Sequence, residues 1–174
     1  MVWSSARPHN VIPMVKQLFN PKQQEQLVGV WSRKDLRLGE HYEKKVQVYK
    51  QLTWLWDNVE VQAGFPAPAS ESELEDGSKE PLATKWDQSN TLLIDDSINK
   101  AASEPYNLLQ IDEFTAENKN DGTDALGRVL AYIENLKWEA DVSSAMREQP
   151  FVNGEGDEWD WGRNRAVPAE GVTV

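Results

Sequence analysis

Two kinds of apolar pattern alternate along the chain and predict strands and helices in turn. Short runs centred on apolar residues are typical of buried strands, and such runs lie at 1–3, 27–31, 90–95 and 108–111. Stretches with apolar residues at helical spacing lie between and after these runs. The order predicts an α/β fold with a mostly parallel sheet and helices on its faces.

Helices are predicted in four places. The first begins near Pro8 and ends at Asn20-Pro21, because the residue before a proline disfavours helical geometry. Residues 22–26 predict a short second helix. In the third predicted helix, Lys50 lies off the apolar face. Thr123 is the predicted N-cap of the last helix. The positions that define the three apolar faces are Val11, Ile12, Val15, Leu18 and Phe19, then Val48, Leu52, Leu55 and Trp56, then Leu126, Val129, Leu130, Ile133 and Leu136.

Composition indicates one domain with a real core, or part of a larger one, because 39% of the 174 residues are hydrophobic. We expect this domain to occupy residues 1–149. Residues 60–84 are rich in Pro, Gly, Ser and acidic side chains and predict a mobile insertion. Residues 150–174 predict an irregular tail, in which Trp159 and Trp161 either clamp onto the domain or dock a partner.

The charge and residue inventory exclude several classes of function. A net charge of −11 argues against nucleic-acid binding. The lack of cysteine excludes disulfides and thiolate chemistry, and two histidines argue against a His-rich zinc centre. No apolar run approaches the roughly 18 residues of a membrane span. Residues 1–57 carry +4 and residues 58–174 carry −15; the basic part suits a phosphorylated substrate, although solvated helix faces explain it equally well.

The run 90–97 carries the sharpest chemical signal. Its apolar centre, 92–94, suits a buried strand, and Asp95 and Asp96 follow at the carboxyl end of that strand. Ligands bind at this end in open α/β sheets, and adjacent carboxylates suit a hard cation such as Mg²⁺. A turn with a helix N-cap explains the same residues without a metal, so both interpretations stay open from the run alone.

Several blocks of the sequence lie in the order found in one phosphatase family. With them the chain resembles the FCP1-like, or NIF-type, phosphatase domain of the haloacid dehalogenase superfamily, fungal members above all, from residue 1 to about residue 138. The resemblance implies a haloacid dehalogenase-like three-layer sandwich, incomplete at its N-terminus. The blocks are Val2-Trp3-Ser4-Ser5-Ala6, Leu18-Phe19, Val30-Trp31-Ser32-Arg33, 45–52, 86–97 with Lys100, 105–108 and 111–114.

The resemblance also implies roles for four residues. In such enzymes a hydroxyl after the second strand binds the transferring phosphoryl group, and Ser4 matches it. A lysine balances charge around the phosphoaspartate, and Lys50 matches it, although by itself Lys50 resembles a solvated helix lysine. Acidic residues after a later strand hold Mg²⁺, and Asp95 and Asp96 match those. Metal, lysine and hydroxyl together supply the charge stabilisation that phosphoryl transfer requires.

One part of the family pattern does not occur in these 174 residues. The family uses an aspartate nucleophile and an aspartate acid/base in an Asp-x-Asp-x-Thr loop after the first strand, and nothing of this kind precedes Ser4. The run 157–160 is no substitute, because no buried strand precedes it. We therefore expect a truncated form of the enzyme; the other interpretation is a remnant with a non-catalytic role, inactive as given.

Three functions remain open from the sequence. The leading one is part of a Mg²⁺-dependent protein serine/threonine phosphatase, nuclear or cytoplasmic, acting on a phosphoprotein or phosphopeptide. The second is a Tim50-like subunit of the mitochondrial inner-membrane translocase, which binds presequence peptides and other translocase subunits without catalysis; the −15 charge of residues 58–174 would attract basic presequences. The third is an inactive fragment.

Overall fold

The computed structural model of the protein describes residues 1–66, 83–115 and 124–152. The chain divides into two compact units. The first unit comprises Met1–Asp87 and Asn99–Ser103, and the second comprises Gln88–Ile98 and Glu104–Val174. None of the helices in the described part of the chain has the length and apolar content needed to cross a bilayer.

Parallel strand pairs and helices build both units, in agreement with the predicted α/β class. The strands are β1 Val2–Trp3, β2 Val30–Trp31, β3 Leu93–Asp95 and β4 Leu108–Gln110. The α-helices are α1 Pro8–Leu18, α2 Pro21–Glu25, α3 Thr53–Trp56, α4 Val59–Ala63, α5 Ala125–Leu136 and α6 Val142–Glu148. Turns of 3₁₀-helix lie at Arg33–Leu36, Gly39–His41, Ile98–Ala101 and Pro105–Asn107.

The first unit is built on the parallel pair β1–β2, in which Val2 pairs with Val30 and Trp3 with Trp31. The two indole rings of the second pair pack edge to face, with their centroids 5.0 Å apart. Helix α1 connects the strands and begins at Pro8, whose fixed backbone angle suits the first helical position. Its apolar spacing turns Val11 and Val15 into the core, and Val11 is only 2% exposed.

The second unit is built on the parallel pair β3–β4 and on helix α5. Asp95 pairs with Gln110 at the end of the strands. The core is one cluster of buried residues, partly from α5 and partly from β4 and α6. These residues are Leu109, Val129, Tyr132, Leu136, Val142 and Met146. The Tyr132 hydroxyl, buried in this cluster, donates a hydrogen bond of 2.5 Å to the Gln149 carbonyl.

Three predictions about helices were wrong. Residues 48–52 are not helical, because Val48 and Leu52 reach the core from irregular chain and only α3 is regular. Residues 60–63 of the predicted insertion are helical, since Asn58 caps α4 and Val61 is buried. Helix α5 is capped by Asp124, whose carboxylate accepts from the Gly127 amide.

The outer face of α5 also differs from the prediction. Leu126 and Leu130 are 74% and 60% exposed, while Val129, Tyr132 and Leu136 turn inwards. The rest of the predicted insertion, at 67–82, lies outside the described residues, as do Thr123 and the tail from 153 onwards with Trp159 and Trp161.

Candidate functional site

Ser4 lies directly after β1, where the strand leads into a turn. Its amide donates to the Trp31 carbonyl at 3.0 Å, which extends the strand pairing by one residue. Its hydroxyl oxygen accepts from the Ala6 amide at 3.1 Å, and the residue is half-buried. Ser4 is therefore not the N-cap of α1, which is Arg7 without a side-chain cap. The turn fixes the hydroxyl at the carboxyl end of a parallel strand, where α/β proteins place ligand contacts.

Lys50 is buried, with 6% of its surface exposed, and it lies in irregular chain rather than on a helix. Its amide donates to the Lys100 carbonyl at 2.7 Å, which holds this segment in place. The interpretation as a solvated helix lysine is wrong. Lysine is almost never buried without a compensating partner, because removing an ammonium group from water is costly.

Asp95 and Asp96 follow each other at the end of β3 but differ in exposure. Side chains alternate between the two faces of a strand, so Asp95 shares the buried face of Leu93 and is 6% exposed, whereas Asp96 is exposed. The Asp95 Oδ1 accepts from the Ser97 amide at 3.0 Å. This bond forms the turn that the sequence suggested, and it occupies one carboxylate oxygen of Asp95.

A buried asparagine supports the strand that carries these carboxylates. Asn107 has no exposed surface, and its side-chain amide donates to the carbonyls of Gln88 and Thr91 at 2.8 and 2.7 Å. These bonds hold the chain that enters β3. The run 88–91 has no regular structure, so Asn107 supplies the hydrogen bonds that a ladder would otherwise provide.

The donors at the end of β3 are carboxylate oxygens, which is the ligand chemistry that a hard divalent cation such as Mg²⁺ prefers. No group of three or more acidic, His or Cys side chains able to hold a metal occurs in the described residues. Mg²⁺ is nevertheless commonly held by one or two carboxylates, with water and substrate phosphate completing its octahedron. Asp95 and Asp96 are the two carboxylates at this strand end, one buried and one exposed. A bound Mg²⁺ would supply positive charge that stabilises the phosphoryl group during transfer.

The first unit also has a cavity of about 360 Å³ that is wide open to solvent and whose lining begins at Ser5, the residue after Ser4. It is lined by residues 5–7, Asn10, Arg33 and residues 43–45, which include four cationic side chains and one carboxylate. The Arg33 amide donates to the Ala6 carbonyl at 2.8 Å, so the loops that follow β1 and β2 meet here. The cavity therefore lies at the carboxyl ends of this strand pair.

Sequence reasoning located the four predicted site residues but did not find their surroundings. Ser4 and Lys50 belong to the first unit, and Asp95 and Asp96 belong to the second. The cationic cavity left only a weak signal, the +4 charge of residues 1–57. Asn107 lies in the block 105–108 of the family resemblance, but its burial and its supporting role cannot be read from the sequence.

Comparisons with known proteins agree in pointing to one family. A family model described as NLI interacting factor-like phosphatase matches residues 1–143. An uncharacterized FCP1 homology domain-containing protein of Schizosaccharomyces pombe is 33% identical over 154 residues, which cover 87% of this chain and 57% of that relative. The chain thus spans less than two thirds of the relative's length. No solved structure gives a significant match.

Proposed function

The chain belongs to the NLI interacting factor-like, or FCP1-like, phosphatase family, and from this premise we propose that it forms part of a Mg²⁺-dependent protein serine/threonine phosphatase. The substrate is a phosphoserine or phosphothreonine in a protein or flexible peptide. The complete domain is then a haloacid dehalogenase-like three-layer sandwich, of which the two parallel strand pairs are parts.

One observation carries this proposal. Among the charged residues that the structure describes, Lys50 and Asp95 are the two that are buried, and both are positions to which the family resemblance assigns a role. Burial raises the cost of a charge, whereas charges without a specific task remain at the surface. The coincidence favours site roles for both residues over structural ones.

Each of the four residues has a defined task in the proposed reaction. The Ser4 hydroxyl donates a hydrogen bond to a phosphoryl oxygen while its oxygen keeps the bond from Ala6. Lys50 balances negative charge on the transferring group, and its burial strengthens that effect because the local dielectric is low. Asp95 and Asp96 hold Mg²⁺. The carboxylate that attacks phosphorus has to come from an Asp-x-Asp-x-Thr motif, which the 174 residues do not contain.

The test is phosphate release by the complete translated protein. The 5′ end of the transcript is mapped, the open reading frame is expressed, and release of phosphate from phosphoserine peptides is measured with Mg²⁺ and with a chelator. We expect an in-frame Asp-x-Asp-x-Thr strand and Mg²⁺-dependent release. A stop codon directly upstream of Met1 would exclude an aspartyl-phosphate route for this chain, and a protein with the motif but no activity on phosphopeptides would refute the proposal.

No specific observation favours the Tim50-like alternative. It depends on the −15 charge of residues 58–174, of which a large part lies outside the described residues.

A further inference from the structure

The cationic cavity of the first unit has a lining that begins at Ser5, but it has no role in the reaction described above. We propose that it is a subsite for a second anionic group of the substrate, a carboxylate or a second phosphate within about three residues of the phosphorylated residue. The inference rests on the proposed function, which assigns the scissile phosphoryl group to Ser4.

The cavity has an excess of positive charge that the described residues do not neutralise. Its single carboxylate, Glu43, is already engaged with the Arg7 guanidinium. In the part of the chain that the structure describes, no carboxylate lies within salt-bridge distance of Arg33, Lys44 or Lys45. The cavity lining therefore presents three cationic side chains to a ligand, namely Arg33, Lys44 and Lys45.

Arg33 is held ready for an anion by bonds to neutral groups. Its Nε donates to the Tyr42 carbonyl at 2.6 Å, and its Nη2 donates to the carbonyls of His41 and Lys44. A guanidinium has five N–H donors. Among the described residues these bonds leave the two donors of Nη1 for a ligand. The fixed planar group suits the paired oxygens of a carboxylate or phosphate, and its prior ordering lowers the entropic cost of binding.

The position of the cavity limits where the second anion stands in the substrate. Its lining begins at Ser5, one residue after the proposed phosphoryl-binding hydroxyl, and continues to Arg7. Three residues of chain span at most about 11 Å, and an extended peptide covers the same distance in about three residues. An extended peptide with its phosphoryl group at Ser4 can therefore bring an anion a few residues away to the Ser5–Arg7 side of the cavity.

The experiment measures peptide binding by fluorescence anisotropy with the 174-residue chain. Four labelled peptides share an uncharged background and carry one phosphoserine, a phosphoserine with one nearby aspartate, two phosphoserines, or the aspartate alone. The test variant is Lys44→Glu with Lys45→Glu, which alters exposed side chains that make no hydrogen bond in the described structure. The matched control is Lys16→Glu with Lys22→Glu, which changes the net charge equally outside the cavity.

We expect both doubly anionic peptides to bind at least several-fold more tightly than the singly phosphorylated one. Lys44→Glu with Lys45→Glu should remove this gain, a loss of about tenfold, while the control variant loses much less. Added salt should reduce the gain as well. Comparing the affinities of the two doubly anionic peptides shows whether the cavity prefers a carboxylate or a second phosphate, because a phosphate carries up to about two negative charges.

Three results would overturn the inference. The first is that the singly and doubly anionic peptides bind with equal affinity. The second is that the control variant loses as much affinity for the doubly anionic peptides as the test variant does. The third is that the aspartate peptide without phosphoserine binds as tightly as the doubly anionic peptides. The first of these, with the singly phosphorylated peptide still bound, leaves the proposed function intact. Failure of every phosphoserine peptide to bind would count against the proposed function as well, so the two failures can be told apart.

Discussion

The two units carry opposite charges at the same kind of place. In the first unit the parallel strands β1 and β2 lead into loops with Arg7, Arg33 and two lysines, whereas in the second unit β3 leads into Asp95 and Asp96. Both places are carboxyl ends of parallel strands, where side chains from neighbouring strands converge. The two strand pairs thus place their carboxyl ends alike, and the residues that follow the strands give the two places opposite charge.

The cores of the two units also differ. The second unit has one contiguous apolar cluster around α5, with Tyr132 and Leu136 almost fully buried. The first unit buries mostly aliphatic residues together with Trp3, which packs against Trp31 and lies 6.2 Å from the Trp54 ring.

The largest expected effect is loss of core volume in α5. Leu136→Ala leaves a cavity around a side chain that is 1% exposed, so the free energy of unfolding should fall by about 3 kcal/mol. Leu130→Ala, in the same helix but 60% exposed, should change it by less than about 0.5 kcal/mol. Urea denaturation measures both. Similar losses in the two variants would show that α5 does not pack as described.

The next largest effect concerns the support of β3. Asn107→Ala removes both hydrogen bonds to the carbonyls of Gln88 and Thr91 and leaves these acceptors without that donor. The free energy of unfolding should fall by about 2 kcal/mol. Asn135→Ala, which removes one bond to the Ala131 carbonyl on an exposed surface, should cost well under half as much. A smaller loss for Asn107→Ala than for the control would contradict the supporting role.

A smaller effect, confined to alkaline pH, follows from Tyr132. Burial raises the pKa of its hydroxyl above the ordinary value of 10.0, so the unfolded chain loses this proton at lower pH than the folded protein. The contribution to stability is therefore complete below pH 10 and declines as pH rises from about 10 towards the folded pKa. Unfolding measured between pH 8 and about 11 should show a steeper decline for the native chain than for Tyr132→Phe. Parallel curves would contradict burial of the hydroxyl.

Periodicity in the sequence predicted the elements whose apolar residues repeat regularly. The strands β1, β3 and β4 and the helices α1, α2 and α5 lie where the patterns placed them, within a few residues. The stretch 48–52 was mistaken for helix because Val48 and Leu52 are spaced as in a helix, yet they reach the core from irregular chain. Tertiary packing determined the backbone conformation of residues 48–52, and the spacing of apolar residues alone does not predict that conformation.

The four candidate site residues stay a prediction from family resemblance, and their environment could not be predicted from the sequence. Family resemblance singled out Ser4, Lys50, Asp95 and Asp96, but burial of Lys50 depends on residues distant in sequence. The contrast between Asp95 and Asp96 follows from strand alternation only once the register of β3 is known. The cavity arises because the loops after β1 and β2 meet, which requires the parallel pairing itself.

The most direct test of the central claim is the shift in melting temperature that Mg²⁺ produces in this chain. An ion that binds the folded state alone stabilises it by about 1.4 kcal/mol at roughly ten times its Kd, or roughly 3–6 °C for a domain of this size. Asp95→Asn keeps an oxygen that can accept from the Ser97 amide but loses the charge, whereas Asp112→Asn makes the same change at an exposed position. We predict that Mg²⁺ stabilises the native chain and Asp112→Asn but not Asp95→Asn. An equal shift in all three proteins, or none in the native chain, would contradict the assignment of Asp95 to a Mg²⁺ site.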